Sequence, residues 1–140
     1  MSLYFPAEGR NYIMNAAVHG GAQVSDWRVA IFEGDYTPQD DDTAANIGAR
    51  ATEITAYTEL TRPSFVESAA VAGASDNTGN LAQFTLNATK GIRLFALLSS
   101  SGKGSSTGVL LCIQRLPAVR TYSAGDVVQA PVSLVATNPT

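Results

Sequence analysis

Ile92-Arg93-Leu94-Phe95-Ala96-Leu97-Leu98 leads through a serine- and glycine-rich stretch, Ser99 to Gly108, into Val109-Leu110-Leu111-Cys112-Ile113. Two apolar runs of strand length around a flexible loop predict an antiparallel pair. A half-buried antiparallel strand alternates apolar and polar side chains. Neither run alternates, so both faces of this pair need cover. The N-terminal helix or a neighbouring subunit can supply it.

Upstream, period-two alternation returns at Ala82 to Leu86 and at Glu53 to Tyr57. Trp27 to Phe32 is a further strand, ended by Gly34-Asp35, and Ser64 to Ala72 is a weaker one entered through Pro63. Ala74 to Gly79 reads as a turn cluster. Downstream, Pro117 marks a break and Ser123 to Asp126 a turn. Val127 to Ala136 is the closing strand, with Pro131 signalling an edge or a bulge. Residues 137–140 read as a frayed tail. Helical signals are few. Ile13, Ala16 and Ala17 recur at helical spacing between Glu8 and His19, and Gly20-Gly21 stops the element. A helical turn from Thr43 to Ile47 is capped by Asp42 or Thr43 and closed by Gly48. The arm formed by residues 1–7 is extended, with Pro6 barring a helix. About seven or eight short strands with a turn signal every ten or so residues describe an all-β sandwich, jelly roll or small barrel.

Composition narrows the function classes. Of 140 residues, 15% are charged and 45% are hydrophobic, with 12 Gly, 12 Ser, 13 Thr and 21 Ala in place of the missing charge. Low hydrophobicity with high net charge would mean disorder, and neither holds here. The net charge of −3 argues against binding nucleic acid by neutralising phosphates. No apolar run is long enough to make a membrane-spanning helix. Charge is also uneven. Residues 1–70 carry 4 basic and 10 acidic side chains, and residues 71–140 carry 5 basic and 2 acidic. One acidic and one weakly basic face would dock polar-to-polar on neighbours.

Chemistry-bearing residues are sparse. His19 is the only histidine, at a helix end where it suits the last carbonyls. Cys112 is the only cysteine and lies inside an apolar strand, a poor place for a thiolate. One histidine and one cysteine cannot build the usual zinc site. Asp40-Asp41-Asp42 lacks the spacing of an EF-hand loop and reads as a solvated capping loop. Gly102-Lys103-Gly104-Ser105 fails as a phosphate loop, because Leu97 stands at the first glycine position and Gly104 follows the lysine. Glu53, Glu59 and Glu67 are the carboxylates open to glycoside chemistry, but they carry no local signature. Trp27, Tyr36 and Tyr57 are candidates for a sugar platform.

Several segments together carry a resemblance. They are Glu8-Gly9-Arg10-Asn11-Tyr12-Ile13-Met14-Asn15, Trp27 to Phe32, the Thr37-Pro38 to Ile47 loop, Ala56 to Pro63, and the late Ser123-Ala124-Gly125-Asp126 turn. In this arrangement the chain resembles the cement, or decoration, proteins of tailed-bacteriophage heads. The resemblance implies an all-β fold, a jelly-roll-like antiparallel β-sandwich with a short N-terminal helix, in one domain over residues 1–140. It implies no catalytic residue, cofactor or enzymatic activity. It also implies binding to the outside of the virion capsid, where the protein bridges major capsid subunits. The first residues, Met1 to Pro6, have neither the basic nor the long apolar region of a signal peptide, so synthesis in the host cytoplasm is expected. Self-association, as a homodimer through an edge strand or apolar face, fits the low charge. The candidate interface residues are Leu3, Tyr4 and Phe5 of the arm, Asp40, Asp41 and Asp42 of the acidic loop, and Lys103 of the serine-glycine loop. The alternative is a carbohydrate- or receptor-binding β-sandwich of a phage tail or fibre.

Overall fold

In the computed structural model, residues 3–136 are described. In chain order the elements are β1 (Leu3–Tyr4), α1 (Ala7–Ala17), β2 (Arg28–Phe32), α2 (Ile47–Ala51), β3 (Ala74–Asp76), β4 (Ala82–Thr85), β5 (Lys90–Leu98), β6 (Leu110–Tyr122), β7 (Val127–Ala130) and β8 (Ser133–Val135). The fold is mostly β. A four-stranded antiparallel sheet runs β1-β6-β5-β2, and two further antiparallel ladders pair β3 with β8 and β4 with β7.

The apolar runs form the centre of the sheet, and both of their faces are covered. Val29, Ile31, Phe95, Leu97 and Cys112 face one cluster, together with Phe84, Val128, Tyr57 and Phe65 from outside the sheet. Ala30, Phe32, Leu94, Ala96 and Leu98 face the opposite cluster, beneath Ala44, Ile47 and Ala51. The missing alternation is therefore satisfied within the chain. The cover over the second face comes from α2 and the loop before it, where Ala44, Ile47 and Ala51 stack along one side. Each fully buried Leu, Ile or Phe contributes about 1.5–3 kcal/mol through the area it withdraws from water.

Pro117 does not end β6, as its sequence position suggested. Ladder partners jump from Leu94↔Arg115 to Ile92↔Arg120, so Leu116 to Val119 bulge opposite Arg93. A bulge needs no N–H at Pro117. It also reverses side-chain parity, which puts Ile92 in the first cluster and Leu94 in the second.

Other boundaries differ from the sequence reading. Glu53 to Tyr57 makes only single bridges, Phe32↔Glu53 and Tyr57↔Leu86. Ser64 to Ala72 makes one bridge at Ser64 and another at Val71, and residues 66–73 are exposed. Ala74–Asp76 is a strand rather than part of a turn. The second helix begins at Ile47 rather than ending there. An amide-to-carbonyl turn (Thr43 N to Asn46 Oδ1, 2.8 Å) precedes it, and Gly48 lies inside it. The first helix runs Ala7–Ala17 rather than 8–19, since Val18 and His19 donate their backbone N–H groups back to Met14. The expected arm is an edge strand at Leu3–Tyr4 that runs directly into α1. The tail at 137–140 lies outside the described residues.

The closing segment has one organisation across two strands. β7 pairs with β4 and β8 pairs with β3, on the same side of the 127–135 run. Asn77, 1% exposed, closes the gap between the two ladders. Its Nδ2 donates to the Ala130 carbonyl at 3.0 Å, and its Oδ1 accepts from the Val132 N–H at 2.8 Å. Val128, Ala130 and Val132 are buried, whereas Val127, Gln129, Pro131, Ser133 and Val135 are exposed. The period of two persists through Pro131.

Candidate interaction surface

α1 is held to the sheet along one side only. Gly9 sits so close to β6 that a Cβ there would lie 1.9 Å from the Leu111 carbonyl oxygen. Leu111 is the extra residue of a second bulge, because Leu97↔Cys112 is followed by Leu98↔Leu110. The Glu8 carboxylate accepts from the Ala44 N–H at 3.0 Å and the Leu110 N–H at 3.4 Å, tying helix, loop and strand together. The Tyr12 hydroxyl accepts from the Val24 N–H at 2.7 Å, and its ring meets Trp27 edge to face with centroids 5.0 Å apart.

Beside the exposed polar residues Arg10, Asn11 and Asn15, the helix also leaves apolar side chains uncovered. Ile13 is 39% exposed, Met14 58% and Val18 75%. Between α1 and the β3–β8 ladder runs a groove of about 420 Å³, lined by Phe5, Tyr12, Ile13, Leu111, Leu134 and Val135 among others, with no charged side chain. Val71 and Val135, 75% and 53% exposed, stand on the ladder side. Scattered exposed apolar residues are ordinary, but a charge-free groove beside exposed Ile13, Met14 and Val18 is a candidate contact surface.

The ladder adds a second feature. The Ala136 N–H donates to the Gly73 carbonyl and the Asn77 N–H to the Val132 carbonyl, which places Gly73↔Ala136, Ser75↔Leu134 and Asn77↔Val132 at the hydrogen-bonded positions of the ladder. Ser133 and Val135 therefore aim their N–H and C=O groups away from β3. Among the described residues, nothing meets those groups. The outward edge of β3, by contrast, is met by Ser68 and Val71.

The residues singled out in the sequence fall in separate places. Leu3 and Tyr4 pair with Gln114 and Ile113 of β6, and Leu3 and Phe5 pack against the first core cluster. Phe5 also lines the groove. Arg10 joins the arm to the acidic loop, donating to the Phe5 carbonyl at 3.0 Å and to Asp40 Oδ1 at 2.6 Å. Asp41 is exposed and takes two hydrogen bonds from Arg50, which hold its carboxyl below the ordinary range against a smaller effect of burial. Asp42 is fully buried. It accepts from the Tyr36 hydroxyl, from Arg50 Nη1 at 2.8 Å and from the Gln39 N–H at 2.7 Å.

Lys103 belongs to a different cluster. Its Nζ donates to the Tyr57 carbonyl at 2.6 Å and lies 4.2 Å from the centroid of the Tyr57 ring. Beside it, Arg62 and Glu53 form a buried pair that holds the serine-glycine loop, so the loop is anchored rather than free. Glu59 is taken up by Thr85, and Glu67 is exposed on the 66–73 segment. Tyr57 is buried, Tyr36 donates to Asp42, and Trp27 packs on Tyr12. Burial pushes the Cys112 thiol up to about 12. Among the described residues, no group of three or more His, Cys, Asp or Glu side chains is placed to hold a metal ion, and no helix is long and apolar enough to cross a membrane.

The sequence reading missed Met14, Val18 and Val135. The signal was present: Ile13, Met14, Ala16, Ala17 and Val18 cover more of the helix than one buried stripe needs. No protein-family model matches the chain, and no curated protein matches it.

Proposed function

We propose that this chain is a structural virion protein that binds the outer surface of a phage capsid and cements neighbouring major capsid subunits. One observation carries the reading beyond the resemblance: the exposed apolar side chains Ile13, Met14 and Val18 of α1, beside a groove whose lining carries no charge. A protein that acts by contact needs such a surface and needs no reactive centre. The acidic loop and the arm serve it indirectly. Arg10 and Glu8 tie α1 to that loop, and Arg50 of α2 holds the loop in place, which sets the shape of the surface. The protein also associates with itself, and many copies, each burying a modest interface, add to the rupture threshold of the shell.

On this reading the two ladders and the four-stranded sheet are the layers of a jelly-roll-like sandwich. In support, Ala82, Phe84, Val128 and Ala130 of the β4–β7 ladder share one cluster with Val29, Ile31, Phe95 and Leu97 of the sheet.

The test is co-sedimentation with expanded capsids that lack the protein. Saturable binding, lost in Met14→Glu, supports the reading. Capsids that sediment without the chain at any concentration remove it.

A further inference from the structure

We propose that a second copy of this chain docks on the β8 edge, pairing antiparallel with it across a two-fold axis and filling the adjoining groove. The inference deepens the self-association in the reading above by naming its surface. Three observations carry it. First, Ser133 and Val135 aim backbone donors and acceptors away from β3, and no described residue meets them. An unpaired strand edge is a template for another strand. Second, Val135 both carries one of those outward pairs and lines the apolar groove, so strand pairing and apolar burial fall on one continuous surface. Third, the surface is free of charge. Near a two-fold axis each side chain faces its own copy, so any charge there repels itself. From Val127 to Val135 no residue is charged, and neither is any residue lining the groove. In a protein of net charge −3 with 21 ionised side chains, a neutral run beside a neutral groove is the place where two copies meet without like-charge contact.

The β2 edge of the four-stranded sheet is closed to this role. β2 is capped by Pro63 and Ile54, through Val29 N to the Pro63 carbonyl and Ile54 N to the Ile31 carbonyl, both within 2.9 Å. Pro131, exposed on the 127–135 run, places its missing N–H on the outward side and so limits pairing to the β8 half. The exposed ridge of Ile13, Met14 and Val18 flanks the groove, and in the pair it packs on its partner.

The experiment is sedimentation equilibrium of the full chain, with amide hydrogen exchange at high and low protein concentration. The expected result is a mass twice that of the chain, with Ser133 and Val135 amides protected only at high concentration. Val135→Glu should weaken the dimer by about tenfold or more. Leu60→Glu, at a 93% exposed position, should leave it unchanged. Thermal melting of both variants separates loss of pairing from loss of folding, and the exchange data need no variant at all. A monomer at every soluble concentration overturns the inference. So does a dimer whose Ser133 and Val135 amides exchange freely. A monomer whose Val135→Glu variant loses capsid binding assigns the edge to the capsid protein and also overturns it. Because sedimentation equilibrium and hydrogen exchange contain no capsid, a dimer that ignores capsids keeps this inference and removes only the proposed function.

Discussion

Arg62 holds Glu53 through two hydrogen bonds, Nε to Oε2 at 2.9 Å and Nη2 to Oε1 at 2.6 Å, with the side chains 1% and 5% exposed. The remaining donors of Arg62 reach the carbonyls of Ser100 and Ser105, and Glu53 Oε2 also accepts from the Gly104 N–H. The pair thus fastens the 99–108 loop to the segment that follows α2. Removing one partner strands a buried charge, which costs about 3–5 kcal/mol. Arg62→Met should lower the melting temperature sharply and open the loop to protease. The double variant Arg62→Met/Glu53→Leu should recover part of the loss, because no charge is left unpaired. Equal melting of the single variant and the wild type would contradict the role given to the pair.

Gly9→Ala should detach α1. The new Cβ would meet backbone atoms of Leu111 at 1.9 and 2.8 Å, and backbone cannot swing aside as a side chain does. Overpacking of this kind costs about 1–3 kcal/mol. Urea unfolding is expected to show that loss, with faster amide exchange along α1. The same substitution at Gly48, where nothing lies near, should be harmless or mildly stabilising.

Ala72 and Gly73 form the centre of a turn in which Val71 and Ala74 exchange backbone hydrogen bonds, with φ of 51° and 77°. Two positive φ values make a turn suited to glycine and asparagine. Alanine at the first position costs roughly 1–2 kcal/mol. Ala72→Gly should return about half of that as stability, the rest being lost to the greater freedom of the unfolded chain. Gly73→Ala should destabilise, both by strain and by a Cβ 2.7 Å from the Ala136 carbonyl oxygen. Opposite signs at adjacent residues make the melting comparison decisive.

Tyr57 packs edge to face on Phe84 with ring centroids 5.0 Å apart, yet its buried hydroxyl has no hydrogen-bond partner among the described residues. Burial, and then the charge of Glu53, push that hydroxyl's pKa upward, with Arg62 opposing. An unpaired buried hydroxyl costs about 1–3 kcal/mol. Tyr57→Phe keeps the ring and removes the cost, so thermal unfolding should show equal or higher stability. A fall of more than about 1 kcal/mol would mean the hydroxyl is paired after all.

Glu59 sets part of the acid response. Burial pushes its carboxyl up. The Thr85 N–H at 2.7 Å and the Thr85 hydroxyl at 2.9 Å, helped by Lys103, outweigh burial and hold it below its ordinary 4.5. A lowered folded-state value means the stabilisation is complete above 4.5 and is lost as pH falls through the lower, folded value. Stability should therefore be level near neutrality and decline below about pH 4.5. Glu59→Gln should flatten part of that decline, and melting curves at stepped pH read it directly.

Some of this was legible from residues alone. The solid runs at Leu94 to Leu98 and Val109 to Ile113 announced a strand pair in need of cover on both faces, because side-chain period two leaves no wet face when every position is apolar. Val127 to Ala136 announced an edge or a bulge, because proline lacks the donor an interior strand needs. Pro117 misled for the same reason. A bulge removes the need for its N–H, and nothing near Pro117 in the chain announces a bulge. The interaction surface was only half legible. The surplus apolar residues of α1 are visible in the sequence, but which of them stay uncovered depends on where the helix is docked.

The amino-acid sequence by itself determined the antiparallel β class, the short first helix, the buried thiol and the scarcity of charge. These depend on local periodicity and composition, which the chain carries in every conformation. Tertiary structure alone decided what covers each face of the sheet, which acidic residues are spent on arginines, and that Val135 stands both at an edge no described residue meets and at an apolar groove. Those facts join residues as far apart as Tyr12 and Leu134, or Arg62 and Ser105. Long-range pairing depends on the geometry of packing, which no local pattern records.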